Sequence, residues 1–65
     1  MMKESTAITF QDTETSEEAL AIVRYDQSNV ALCLSRKSDG DMEVVMTKAD
    51  ATKLIEALRK AVAQG

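Results

Sequence analysis

Histidine is absent from this 65-residue chain, and cysteine occurs once, at Cys33. Those two facts remove most of the side chains that do chemistry near neutral pH. Without histidine there is no ready general base and no imidazole for a zinc or copper site. Cys33 sits between Leu32 and Leu34 in an alternating run, which predicts a small apolar filler rather than a reactive thiol. A single cysteine also cannot close an intrachain disulfide.

Other chemistry-bearing residues are read in the same way. Met42 and Met46, with Cys33, are the side-chain types that hold copper(I). Met42, Val44 and Met46 share a two-residue spacing, however, which assigns the methionines to a core face, with Cys33 on the other side of its own strand. Asp39-Gly40-Asp41 and Glu43 supply carboxylates, but the ligand ladder and the closing glutamate of a calcium loop are missing. With glycine only at positions 40 and 65, no loop of backbone amides is available to cradle a phosphate. The remaining carboxylates are scattered over loops and helix ends. No metal, no cofactor and no enzyme activity are therefore expected.

Arg24, Arg36, Lys37 and Lys48 could form a modest basic rim for nucleic acid at one end of a sheet. The stacking aromatics that single-strand binders use are limited to Phe10 and Tyr25. Net charge is −3, with one base and five acids in residues 1–18 and seven bases and six acids thereafter. The acidity lies in an early segment and the rest is near neutral, which is a weak electrostatic footprint for nucleic acid.

These residues must be positioned by a small set of elements. Ala51, Leu54, Ile55, Leu58, Ala61 and Val62 follow the i, i+3, i+4, i+7 spacing of one helical face. Thr47 is a good N-cap, and Asp50 stands three residues later like the acidic member of a capping box. Asp50 near the start and Arg59 and Lys60 near the end suit the helix dipole. Glu56 and Lys60 form an i,i+4 pair contributing about 0.3 kcal/mol. A helix is predicted over about 48–63.

Upstream, the period changes from helical to alternating. Residues 29–36 (NVALCLSR) and 41–47 (DMEVVMT) read as two strands joined by Lys37-Ser38-Asp39-Gly40, a hairpin turn. Residues 19–25 (ALAIVRY) read as a strand before the turn Asp26-Gln27-Ser28-Asn29, and residues 5–11 (STAITFQ) as an edge strand. The acidic stretch 12–17 between them reads as a mobile loop. The fold class is α+β: a three- or four-stranded antiparallel meander followed by one C-terminal amphipathic helix, β-β-β-β-α, as one domain over 1–65. Four strands are expected.

Alternation along these strands divides the sheet into two faces. Ile8, Phe10, Leu20, Ile22, Val30, Leu32, Leu34, Met42, Val44 and Met46 are assigned to a core face, covered by Leu54, Ile55, Leu58 and Val62. Ala21, Val23, Tyr25, Ala31, Cys33 and Val45 are assigned to the second, with Thr9, Ser35 and Glu43. That second face is small-residued yet apolar, whereas a solvated sheet face normally turns polar. It is expected to be the interface of a homodimer, through that face or through exchanged helices. The competing arrangement folds the N-terminal segment over it. Size points the same way, because a chain of this length buries only about 60% of its unfolded surface and small domains recruit a disulfide, a metal or a partner.

Location follows from what the sequence lacks. The first seven residues hold one lysine and no apolar run, so no secretory signal is expected. Apolar stretches are far shorter than the roughly 20 residues that span a bilayer, so no membrane insertion is expected. A lone cysteine suits a reducing cytoplasm.

In outline, a β-β-β-β-α unit of this size that dimerises through its helices is similar to single-stranded-DNA-binding transcriptional cofactors and to Pur-type repeats. That resemblance is one of topology, and it implies a nucleic-acid-binding regulator. The composition favours a different reading, a non-catalytic interaction module that is homodimeric and binds an unknown protein partner. A ligand or metal domain would need a pocket near Cys33 and Tyr25.

Overall fold

A computed structural model describes residues 2–64. Four strands run in sequence order as one antiparallel meander: β1 (Lys3–Gln11), β2 (Glu18–Tyr25), β3 (Asn29–Arg36) and β4 (Gly40–Thr47). Helix α1 (Lys48–Ala63) follows β4 with no intervening residue. The order β1-β2-β3-β4 leaves β1 and β4 as edges. The expected four strands and C-terminal helix are all present.

Each turn has a local cause. Lys37, Ser38 and Asp39 form a three-residue loop between the paired Arg36 and Gly40, and the Asp39 N–H donates to the Arg36 carbonyl at 3.3 Å. Gly40 then takes φ +79°, the left-handed residue that ends this hairpin type. Between β2 and β3, Asp26 N–H donates to the Asn29 carbonyl at 3.0 Å, closing a two-residue loop of Gln27 and Ser28. The Asp26 carboxylate accepts from the Ser28 and Asn29 amides at 2.9 and 2.7 Å, an Asx turn.

The acidic β1–β2 loop is a hydrogen-bonded turn. Asp12 N–H donates to the Glu17 carbonyl (2.9 Å) and Ser16 N–H to the Asp12 carbonyl (2.8 Å), with Ser16 at φ 65°. The Asp12 carboxylate also accepts from the Glu14 amide at 2.9 Å. Asp and Thr in this run are therefore turn formers that satisfy their own backbone.

Loop length decides which residues share a face, and here the expected face assignment is corrected. A two-residue β2–β3 loop pairs odd with even positions: Ala21 with Leu34, Val23 with Leu32 and Tyr25 with Val30. A three-residue β3–β4 loop preserves parity, pairing Leu34 with Met42 and Leu32 with Val44. The β1–β2 register then pairs Ile8 with Ala21 and Phe10 with Ala19. Paired residues lie on one face. Face A therefore carries Ile8, Phe10, Ala21, Val23, Tyr25, Val30, Leu32, Leu34, Met42, Val44 and Met46. Leu20 and Ile22 move to face B, beside Ala7, Arg24, Ala31, Cys33, Ser35, Asp41, Glu43 and Val45. A one-residue change in register moves a whole strand's side chains across the sheet.

Helix α1 also departs from its expected position. It is expected to cover the core face, yet it makes only sparse contact with β3 and β4 and none with β1 or β2. None of its described residues is buried, and Ala51 alone is half-buried. Because α1 begins at the residue after β4, the chain has no connector with which to turn back over the sheet. The molecule is a plate of 35 × 30 × 15 Å. Among the described residues only Ala19 and Ala31 are buried, each flanked in register by bulkier neighbours: Phe10 and Arg36, and Arg24 and Val45.

Candidate interaction surfaces

Face A is built in cross-strand rows. Ile8–Ala21–Leu34–Met42 and Thr6–Val23–Leu32–Val44 form its centre, with Phe10–Ala19–Arg36 at one end and Lys3–Tyr25–Val30–Met46 at the other. Nearly everything between the end cations is apolar. Ile8, Phe10, Leu34 and Val44 are about half exposed and Met42 more so, at 68%. Face A is thus a contiguous apolar sheet face that no other element of the described chain covers.

Face B is mixed. Its middle strip of Leu20, Ile22, Ala31 and Cys33 is bordered by Glu4 on β1 and by Asp41 and Glu43 on β4. Arg24 pairs with Glu43 at 3.2 Å, both side chains being about 40% exposed. Half polar and half apolar, face B has the pattern of a sheet surface that meets water.

The six residues expected to form one dimer face are thus divided. Ala21, Val23 and Tyr25 are on face A, and Ala31, Cys33 and Val45 are on face B. A pocket shared by Cys33 and Tyr25 is ruled out by the same register, since the two lie on opposite sides of the sheet. Cys33 is a free, half-buried thiol whose cross-strand neighbours are Ile22 and Glu43.

The four rim cations are also separated. Arg36 and Lys37 lie at the β3–β4 turn, while Lys48 follows Thr47, which pairs with Asn29 at the other end of β3. Eight residues of strand span about 27 Å. Arg36 is committed to two carboxylates, donating to Asp12 at 3.1 Å and to Asp39. Beside it the Ser38 hydroxyl donates to the Glu17 carboxylate at 2.7–2.8 Å. These bonds clasp the β1–β2 and β3–β4 turns together at one sheet end. Nothing local in the sequence marks this clasp, because residues 12 and 36 meet only through the pairing of the strands between them.

Two carboxyl groups are held below their ordinary range. The Glu14 amide, then the Arg36 guanidinium, lowers Asp12, and the Ser28 and Asn29 amides lower Asp26. Both are turn-forming groups occupied by their own backbone. Among the described residues no three of Cys, Asp and Glu are grouped to hold a metal ion, and no helix is long and apolar enough to cross a membrane. Comparison with protein-family models, with curated proteins and with solved structures gives no match.

Proposed function

We propose that this chain is the protomer of a small homodimeric, non-catalytic protein-interaction module in a reducing, cytoplasmic compartment. The observation that carries this reading is an uncovered apolar face beside an uncovered helix stripe, in a molecule whose buried described residues are two alanines. The accessible surface is 5298 Å². A compact monomer of 7.1 kDa exposes about 4,100 Å². Burial of the difference, about 1,200 Å² per chain, falls in the range of obligate homodimers.

With face A occupied in the dimer, face B is left to meet a partner protein through its apolar strip and acidic borders. Strands and turns 1–47 hold four bases and nine acids, a charge that repels phosphate. Arg24 and Arg36 are already paired with carboxylates. The test is capture of a cellular partner by wild type and by Val45→Glu, a face-B position that is 56% exposed. Capture by wild type, lost in a still-dimeric Val45→Glu, is the expected result. Capture unaffected by the variant, or a salt-sensitive complex with single-stranded DNA, would contradict the reading, and the second would replace it with a nucleic-acid regulator.

A further inference from the structure

We propose that the occupant of face A is helix α1 of a second copy, so that two chains exchange helices across a two-fold axis. This rests on the homodimer reading above and specifies its interface. Three observations carry it.

Each chain presents one helix stripe lacking a sheet and one sheet face lacking a helix. Exposure rises along the stripe with distance from β4: Leu54 38%, Ile55 53%, Leu58 58% and Val62 82%. A helix that lay along its own sheet would keep a level profile. This one leaves the body of its own molecule, so its distal apolar residues can be covered only by another chain. A two-fold axis satisfies both stripes and both faces at once, since an isologous contact repeats each pairing.

Dimensions agree. Sixteen helical residues extend about 24 Å, close to the roughly 27 Å of an eight-residue strand. Charge agrees as well. Residues 48–65 carry four bases and two acids, against four bases and nine acids in residues 1–47. A net +2 helix segment is therefore attracted overall to a net −5 partner body, whose acids lie on face B and in the turns and leave face A itself free of carboxylates that the apolar stripe would have to desolvate.

The experiment uses full-length chains in a Cys33→Ala background. One chain carries Ile55→Cys on the helix and the other, isotope-labelled, carries Val44→Cys on face A. The two are mixed by unfolding and refolding, treated with a short bismaleimide and read by mass spectrometry, with sedimentation equilibrium on the same samples. The proposal expects twice the 7.1 kDa chain mass and crosslinks predominantly between Ile55→Cys of one chain and Val44→Cys of the other. A dimer giving only helix-to-helix or only sheet-to-sheet products, or no interchain product, would overturn the exchange while leaving the homodimer standing. A monomer at high micromolar concentration would overturn both.

Discussion

Gly40 and the two turn aspartates show how much of this fold is decided by single residues. At Gly40 an added Cβ would meet nothing within 4 Å, so Gly40→Ala tests backbone strain alone. A left-handed non-glycine residue costs about 1–2 kcal/mol, and in a domain this small each kcal/mol lowers Tm by roughly 4–8 °C. Thermal melting should show that loss, with Gly40→Asn partly restoring it. For Asp12 and Asp26 the folded pKa lies below the ordinary value of 3.8. The unfolded state then binds protons first as pH falls, so their stabilisation is present above that value and disappears as pH drops through the folded pKa. Tm should be flat from neutrality to about pH 5 and fall below about 4. An Asp12→Asn/Asp26→Asn double variant, which keeps side-chain carbonyls facing the turn amides, should flatten the acid limb.

The elements were legible where the evidence is local and illegible where it depends on counting across loops. Alternation in 19–25, 29–36 and 41–47 located three strands to within a residue or so, and Thr47 marked the helix start, where its hydroxyl accepts from the Asp50 amide at 3.1 Å. Face membership was a different matter. Whether Leu20 or Ala21 joins Leu34 depends on whether an even or an odd number of residues separates the paired ends of β2 and β3, a parity that periodicity within a strand cannot report. The helix stripe was also visible, but not its target, because target geometry depends on the absence of any connector after Thr47. That stripe yields a sharp expectation. An exposed residue of a self-sufficient monomer tolerates substitution within about 0.5 kcal/mol. Leu58, although 58% exposed in the single chain, should behave as a core residue, with Leu58→Asp costing about 2–5 kcal/mol and leaving monomeric, largely unfolded chains by circular dichroism and sedimentation. Lys53→Ala, on the polar side of the same helix, should leave both unchanged.

At the scale of the whole molecule, the radius of gyration is 12.9 Å, against about 10.7 Å for a compact domain of this length. The chain is a plate with a projecting helix, and in the proposed dimer a second copy completes its apolar surfaces. Folding and association should then be one event. The most direct test is guanidinium unfolding followed at chain concentrations a hundredfold apart. For coupled folding and dimerisation, mass action adds about 2.7 kcal/mol of apparent stability over that range, so the midpoint should move upward with concentration and the transition remain single. A midpoint independent of concentration, with a 7.1 kDa species sedimenting throughout, would contradict the claim that this fold needs a second copy.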